Sequence, residues 1–294
     1  MSNKKTFWIT WGVCLIVIGV SLLLLYNDFL DYGIALFCIL PGCVGLFTGF
    51  IPKSKLAVIA LALALFCIFL FLWAGHIEGL VCILMALPLV ALCTLVGYVI
   101  GLIIKHYTKE KDKLKLSVLP LTILLVSYIF THIWSGNGAE SAVSTSMILK
   151  TDPSIVYDHI KQVDTVTARP HWFHDLGLPY PYKCIMTAEK VGGKRICEFD
   201  AGVITETIVE LEKNRLLRME VSDYNMPGKV WFSFKEDRYD VDQILGGTKI
   251  TRTTSYLSKL RPRVYWTEIE RLTIGAQQEL VFENLRNEVE KSTY

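Results

Sequence analysis

Two oppositely charged residues, Arg195 and Glu206, lie in neighbouring β-strand patterns and are the strongest candidates for chemistry in this sequence. The segment 192–206 holds two β-runs around an Asp-Ala-Gly turn, and its apolar residues alternate before that turn. If Phe199 pairs with Ile204, Arg195 and Glu206 are diagonal neighbours on one face of the hairpin. Because a charged pair on the inner face of a sheet is costly to desolvate, it predicts either a structural ion pair or a polar anchor inside a ligand cavity.

As a general acid or base, Glu206 would need a pKa raised by burial, and a neighbouring Arg195 would oppose that rise. We therefore favour a structural or ligand-anchoring pair over catalysis and assign no catalytic residue. Tyr256 and Tyr265 are candidates for the wall of the same cavity. The other candidates for core or cavity lining are aromatic residues, namely Trp172, Phe173, Phe199, Trp231, Phe234 and Trp266.

His171 and His174 form the single H-x-x-H pair that could ligate a metal. No third histidine and no suitably spaced cysteine lies near them in sequence, so we expect loop histidines bonded to backbone or water. Phosphate-binding, dinucleotide-binding, metalloprotease and serine-hydrolase motifs are also absent from the sequence. We expect neither a metal nor a cofactor.

Cys184 and Cys197 lie on strand patterns on either side of Gly192-Gly193, a strong signal for a tight hairpin. A two-residue turn there would place Cys197 opposite Ala188, with Cys184 four residues further along the strand. That separation is too large for a disulfide bond, so the sequence predicts two buried free thiols.

The elements that must position these residues occupy only one part of the 294-residue chain. Residues 1–136 contain nine of the 30 Lys and Arg residues, and residues 137–294 contain the other 21. This imbalance predicts a membrane region followed by a water-exposed domain large enough for its own core. The formal net charge of +2, without a basic face or tail, argues against nucleic acid as a partner.

Five apolar runs in the first part are long enough to cross a bilayer: 7–26, 32–51, 56–74, 79–104 and 116–134. All nine lysines of this part lie before the first run or in alternate loops, and the remaining loops contain acidic residues and histidine but no lysine or arginine. The positive-inside rule therefore predicts a cytoplasmic N-terminus and a periplasmic or extracellular C-terminal domain in the cell membrane. No charged residue lies within a run, so we see no sign of a transport pathway.

Residues 137–294 predict an α+β domain. Asp152 is the expected N-cap of an early helix with Pro153 at its first position. Six antiparallel strands and a long terminal helix follow, and the buried face of that helix is predicted to hold Tyr265, Ile269, Leu272, Ala276 and Leu280. Strands are expected at 141–150, 183–190, 194–201, 203–211, 215–223, 230–241 and 248–257, and helices at 152–163 and 262–291.

The domain resembles the START-like superfamily, also called SRPBCC, which includes polyketide cyclases and dehydrases. The residues that carry the resemblance are the segment 148–163, Trp172-Phe173, Leu178-Pro179-Tyr180-Pro181, Gly193, Arg195, Cys197, Phe199, Gly202, Glu206, Gly247-Thr248-Lys249-Ile250, the segment 253–256, Pro262 and Tyr265-Trp266. It covers nearly all of residues 141–291 and none of the membrane region. It implies a helix-grip fold, an antiparallel sheet around a long C-terminal helix with an apolar cavity between them, but no single function.

Three functions are compatible with these features. The first is a multi-pass membrane protein of five helices whose exoplasmic helix-grip domain binds a hydrophobic or amphipathic small molecule, with lipid from the bilayer as one candidate. The second is a polyketide cyclase-like enzyme that uses Glu206 and a tyrosine. The third is a sensor or interaction module whose cavity is closed. Under the first function the expected ligand-binding residues are Arg195, Glu206, Phe199, Trp172, Phe173, Trp231, Tyr256, Tyr265 and Trp266.

Overall fold

A computed structural model describes residues 3–26, 33–51, 54–74, 80–107, 123, 138–163, 165–166, 168, 172–226, 228–229 and 231–292. The chain divides into two compact units. Unit 1 comprises Met1–Asn137 with Lys259–Arg263, and unit 2 comprises Gly138–Ser258 with Val264–Tyr294. Each unit has its own fold.

The described part of unit 1 is helical because its segments are long apolar runs whose polar backbone groups are satisfied within each helix. A short π-helical segment, Ala35–Ile39, leads directly into the second helix. The helices are α1 (Asn3–Tyr26), α2 (Leu40–Phe50), α3 (Ser54–Ala74) and α4 (Leu80–Tyr107).

Three helical segments of unit 1 are long and apolar enough to cross a membrane: Asn3–Ser21, Lys55–Ala74 and Leu80–Tyr107. The predicted second span appears as a shorter apolar helix, Ala35–Phe50. Apart from Ile123, the predicted fifth span at 116–134 lies outside the described residues. Within the described residues there are thus three candidate spans, and the predicted count of five is not confirmed.

Glycine residues allow the backbones of α2 and α4 to approach closely. A Cβ atom on Gly45 would lie 2.0 Å from the Thr94 carbonyl oxygen, and one on Gly97 would lie 1.9 Å from the Gly42 carbonyl oxygen. Any side chain at these positions would overlap the partner helix, as in the small-residue interfaces of membrane helices. Gly45 and Gly97 are therefore packing positions between α2 and α4.

Unit 2 contains one seven-stranded antiparallel sheet with the order β1-β7-β6-β5-β4-β3-β2. The elements are β1 (Ala139–Leu149), α5 (Pro153–Lys161), α6 (Trp172–Asp175), β2 (Pro181–Met186), β3 (Lys194–Phe199), β4 (Gly202–Glu212), β5 (Leu216–Asn225), β6 (Phe232–Ile244), β7 (Gly247–Ser258) and α7 (Arg263–Ser292). A sheet of this order with a long C-terminal helix against it fits the expected helix-grip fold. Asp152 caps α5 by accepting a hydrogen bond from the Ser154 N–H at 2.8 Å, as predicted.

The main core of unit 2 forms where α5 and the C-terminal half of α7 pack on one face of the sheet. We call this core the apolar cluster. Its fully buried members include Val156, Ile208, Leu217, Met219 and Ile250. The cluster also contains Leu149, Tyr157, Ile160, Tyr239, Val241, Phe282, Leu285 and Val289.

The buried face of α7 differs from the predicted stripe. Leu272, expected to be buried, is 52% exposed, whereas Trp266, Ile274 and Gln278 are buried. The prediction for Leu272 was wrong because the sheet-facing side of this helix includes polar residues, which a search for apolar spacing passes over. Thr145 Oγ1 donates to Gln278 Oε1 at 2.6 Å, and Gln278 Nε2 donates to Thr254 Oγ1 at 2.9 Å, so a glutamine outside the predicted stripe belongs to the buried face.

The register of the β3–β4 hairpin is two residues away from the prediction. Phe199 pairs with Gly202 rather than with Ile204, and Arg195 lies directly opposite Glu206. Gly202 at the start of β4 also lets the backbone of β5 come close: a Cβ atom there would lie 1.9 Å from the Asn225 carbonyl oxygen. A two-residue shift preserves which residues share a face, so Arg195 and Glu206 remain on the same side.

Cys184 and Cys197 form a disulfide bond, and the prediction of two free thiols was wrong. The two residues are direct partners in the β2–β3 pair, with a Cα–Cα distance of 4.1 Å. The error lies in the loop length: the Thr187 N–H bonds to the Lys194 carbonyl, so the connection is longer than a two-residue turn at Gly192-Gly193. The longer loop moves Cys197 into register with Cys184.

Candidate ligand-binding site

A cavity lies between the inner face of the sheet, α7 and the segment that precedes β2. Its volume is about 40 Å³, which leaves room for roughly three water molecules. Five charged residues line it, and we call four of them, Arg195, Glu206, Asp237 and Arg252, the charged cluster. Its other lining residues include Val163, Val166, Pro181, Cys184, Cys197, Phe199, Ile204, Val221, Phe234, Glu236, Tyr239, Thr254, Gln277, Val281 and Asn284.

Adjacent strands position the first pair of charges. Arg195 on β3 and Glu206 on β4 are opposite each other, and Arg195 Nη1 donates to Glu206 Oε2 at 3.1 Å. The two side chains are only 3% and 5% exposed. Arg195 Nε is a buried donor that has no hydrogen-bond partner among the described residues.

The second pair is bonded more completely. Arg252 Nη2 donates to Asp237 Oδ2 at 2.5 Å, and Arg252 Nε and Thr254 Oγ1 both donate to Asp237 Oδ1. Gln278 of α7 extends this network through its bond to Thr254. Asp237 therefore accepts three side-chain hydrogen bonds. Among the described residues, Glu206 accepts one, from Arg195.

Tyr239 joins the two pairs. The guanidinium carbon of Arg195 is 5.7 Å from the centroid of the Tyr239 ring, and that of Arg252 is 5.4 Å away. Both distances lie within the range of cation–π attraction. The Tyr239 ring thus attracts both guanidinium groups, and the same residue belongs to the apolar cluster.

The electrostatic environment separates Glu206 from an ordinary surface carboxylate. Burial raises the pKa of Glu206 to about 7, with Arg195 opposing the rise and Asp237 adding to it. Burial disfavours the charged form of Arg195, but Tyr239 and Glu206 outweigh that effect and raise the Arg195 pKa. The site therefore contains permanently charged guanidinium groups and one carboxyl group that can exchange a proton near neutral pH.

The apolar part of the cavity lining includes the Cys184–Cys197 disulfide together with Phe199, Ile204 and Val221. Cys184, Cys197, Phe199 and Ile204 also form one packed group with Met226. A molecule in this space would meet charge from one set of residues and hydrocarbon or sulfur from the other. Such a lining suits a small amphipathic group.

Arg195, Glu206 and Phe199 are the predicted site residues that the structure brings together at the cavity. Tyr256 is fully buried elsewhere, where its hydroxyl donates to Glu270 Oε2 at 3.0 Å and its ring stacks on Phe232. The structure does not place the other predicted residues among the cavity lining: Trp172, Phe173, Trp231, Tyr265 and Trp266.

Among these aromatic residues, neighbours in sequence contact one another. Trp172 is 56% exposed on α6 and lies 4.0 Å from the Phe173 ring. Tyr265 and Trp266 make an edge-to-face contact at 5.2 Å, and Trp231 makes one with Phe232. A role of these residues in ligand binding therefore stays a prediction.

His174 lies on α6, and its Nδ1 atom is 2.9 Å from the Leu178 carbonyl oxygen, as expected for a histidine bonded to backbone. His171 lies outside the described residues. Among the residues that the structure describes, no group of three His, Cys, Asp or Glu side chains is arranged to hold a metal.

The sequence interpretation missed Asp237, Tyr239 and Arg252. A signal was present in β6. Asp237, Tyr239 and Val241 are spaced two residues apart, so the carboxylate of Asp237 lies on the same face of the strand as the apolar Val241. On β7, Arg252 and Thr254 likewise lie on the same face of the strand as the buried Ile250. A charged residue in phase with buried neighbours marks the inner face of a strand.

Solved structures similar to this chain include the following three. A protein of unknown function from Staphylococcus aureus, SA2116, has 15% sequence identity to this chain and a TM-score of 0.39. The match covers 53% of this chain and 98% of the SA2116 chain. Protein CV1439 from Chromobacterium violaceum has 13% identity and a TM-score of 0.37, covering 51% and 96%. Major latex-like protein 151 from Panax ginseng has 14% identity and a TM-score of 0.34, covering 51% and 98%. No family model and no curated protein matches the sequence.

Proposed function

We propose that unit 2 binds a small amphipathic molecule. The charged cluster receives the polar group of the ligand, and the disulfide, Phe199 and Ile204 contact its apolar part. The observation that carries this proposal is a cavity in which buried charges and apolar residues share one lining. Pockets of this composition are the usual form of small-molecule sites.

The charged cluster is a poor explanation for stability alone. A buried ion pair can often be replaced by apolar residues with no loss of stability, because desolvation offsets the Coulomb attraction. In addition, the buried Arg195 Nε–H lacks an acceptor among the described residues, and an unsatisfied buried donor costs about 1–3 kcal/mol. A ligand oxygen would satisfy that donor.

The cavity volume limits what can enter without rearrangement. Its 40 Å³ is well below the roughly 300–1,000 Å³ of sites that enclose drug-sized ligands. The space suits a head group of a few atoms. A larger ligand, a membrane lipid included, requires the cavity lining to move outwards.

We place unit 2 on the exoplasmic side of a membrane that the helices of unit 1 cross five times. The lysines at one side of the apolar runs support this orientation. The Cys184–Cys197 disulfide supports it independently, since disulfides persist in oxidising compartments. A ligand could then come from the adjacent leaflet of the bilayer.

Labelling with a membrane-impermeant maleimide tests the orientation. Leu245 is fully exposed at the β6–β7 turn, and Lys5 is exposed near the start of α1. We expect a Leu245→Cys variant to be labelled in intact cells and a Lys5→Cys variant to be labelled only after permeabilisation. The reverse pattern would overturn the orientation without affecting the binding proposal.

Two neighbouring residues of β4 test ligand binding. Ile204 lines the cavity, whereas Val203 is 39% exposed on the opposite face of the same strand. We expect small molecules that copurify with the full-length protein, identified by mass spectrometry of an extract, to be lost in Ile204→Phe and kept in Val203→Phe. Equal amounts in both variants, or none in the wild type with no binding of added amphiphiles, would contradict the proposal.

The small cavity volume favours a second candidate, a sensor or interaction module whose cavity stays closed. It makes the opposite prediction for the same experiment. In that case Ile204→Phe would cause no loss of copurifying small molecules, and no added amphiphile would bind.

A further inference from the structure

The charged cluster is electrically balanced in the absence of a ligand. Arg195 and Arg252 contribute two positive charges, and Glu206 and Asp237 contribute two negative charges. An anionic ligand would leave a buried net negative charge, which is unfavourable in a site with so little water. Uptake of one proton by one of the two carboxylates would restore the balance.

Glu206 is the carboxylate able to take that proton. Asp237 accepts three hydrogen bonds, from two nitrogens of Arg252 and from Thr254, so both of its oxygens are already occupied by donors. Glu206 accepts one, from Arg195 Nη1. The raised pKa of Glu206 agrees with this difference in bonding.

The size and donors of the site favour a carboxylate over a phosphate. A carboxylate group has three non-hydrogen atoms, which matches a cavity of about 40 Å³, and it carries a single charge that one proton can offset. A phosphate monoester is larger and would bring close to two charges at neutral pH. The guanidinium of Arg195 can donate to both oxygens of a carboxylate, and its Nε–H needs an acceptor.

We propose that the ligand of this cavity is a monocarboxylate, held by Arg195, and that its entry is coupled to the protonation of Glu206. Arg195 then exchanges its acceptor, turning from Glu206 to the ligand carboxylate, while the neutral Glu206 carboxyl stays beside it. This inference rests on the proposed binding function and specifies its ligand class.

The groups that surround Glu206 set the expected pH dependence. Arg195 faces it from β3, Glu236, Asp237 and Tyr239 from β6, and Arg252 from β7, while the residues of α7 at the cavity are uncharged. Glu236 is paired with Arg218, whose Nε donates to it at 3.1 Å and whose Nη1 donates to Glu210 at 3.0 Å. Glu206 is therefore the group expected to titrate near neutral pH and to govern anion binding.

The test measures the affinity of butyrate and of 1-butanol for the full-length protein in phosphatidylcholine nanodiscs by ligand-observed NMR. Empty nanodiscs provide the baseline. Above the pKa of Glu206, about 7, we expect the butyrate Kd to rise by about tenfold per pH unit. The Kd for 1-butanol, which carries no charge, should stay constant.

A Glu206→Gln variant holds the site in the neutral form. We expect its butyrate Kd to be independent of pH and, at pH about 9, to be about 100-fold lower than that of the wild type. The matched control is Glu212→Gln, which changes an exposed glutamate paired with Arg215 at the β4–β5 turn and should behave as the wild type does. The loss of butyrate binding in Arg195→Met, with 1-butanol binding retained, would assign the signal to the cavity.

The outcomes separate the two proposals. If both ligands bind with no dependence on pH, or if 1-butanol binds and butyrate does not, the carboxylate inference fails while the binding function stands. If neither ligand binds, both fail. The wild-type titration decides between these outcomes even if Glu206→Gln does not fold.

Discussion

The inner face of the sheet in unit 2 holds two contrasting regions, the apolar cluster and the charged cluster. In the apolar cluster, residues such as Ile208, Leu217 and Met219 are fully buried against apolar neighbours. In the charged cluster, Arg195 and Glu206 are almost as deeply buried but surround a cavity and leave one donor unsatisfied. Burial alone therefore does not mark a structural residue: the first region stabilises the fold, and the second is the one that we propose receives a ligand.

The largest expected effect comes from breaking the better-bonded charge pair. Arg252→Met leaves Asp237 buried without its cation, so we expect a loss of about 3–5 kcal/mol in the free energy of unfolding. The double variant Arg252→Met with Asp237→Leu should recover most of this loss, because no isolated charge remains. Hydrogen exchange of the strand amides in the full-length protein measures both. A harmless single change would contradict the described pairing.

Arg195→Met sharpens the same comparison. We expect a smaller loss than in Arg252→Met, because Glu206 can become neutral by binding a proton near pH about 7. The difference between the two variants should grow smaller as pH rises and Glu206 resists protonation. Equal losses at all pH values would show that the two carboxylates are equivalent.

Truncation in the apolar cluster gives the reference for a purely structural residue. Leu217→Ala removes a fully buried side chain, and we expect a loss of about 2–5 kcal/mol with no dependence on pH. The exposed Val191 in the β2–β3 loop is the control, since Val191→Ala should change stability by less than about 0.5 kcal/mol. A loss of ligand binding in a folded Leu217→Ala protein would contradict the assignment of a purely structural role to the apolar cluster.

The last expected effect is a dependence of stability on pH, caused by Glu206, rather than a loss at a single pH. Because its folded pKa is raised from 4.5 to about 7, the folded state binds the proton more tightly than the unfolded state does. Stability contributed by protonated Glu206 is therefore complete below pH about 4.5 and is lost as pH rises through about 7. Comparing unfolding of wild type and Glu206→Gln at several pH values should show a flatter curve for the variant. A steeper curve for Glu206→Gln would contradict the raised pKa.

Much of the fold could be predicted from the sequence because its signals are local. Period-two alternation locates strands such as β3 and β4 to within a few residues, and Asp152-Pro153 marks the start of α5. Loop length was less predictable. Gly192-Gly193 resembles a two-residue turn, yet a Cβ atom on Gly193 would lie 2.1 Å from the Ala188 carbonyl oxygen, so that glycine serves close packing inside a longer loop.

The candidate site was predictable only in part. Arg195 and Glu206 were found because they are close in sequence on neighbouring strands of one hairpin. Asp237 and Arg252 reach the same cavity from β6 and β7, and only the order and curvature of the whole sheet bring them there. Polar residues of α7 such as Gln278 were missed for a related reason: their partners lie on strands more than 20 residues away in sequence.

In our proposal the buried guanidinium of Arg195 receives the ligand. NMR of the full-length protein with ¹⁵N-labelled arginine, in nanodiscs, can follow its Nε–H directly, with the resonance assigned by its disappearance in Arg195→Lys. The account predicts a slowly exchanging Nε–H signal that moves on addition of butyrate in the wild type and in Val203→Phe, but not in Ile204→Phe. An Arg195 signal that does not respond to butyrate, or that responds equally in Ile204→Phe, would contradict it.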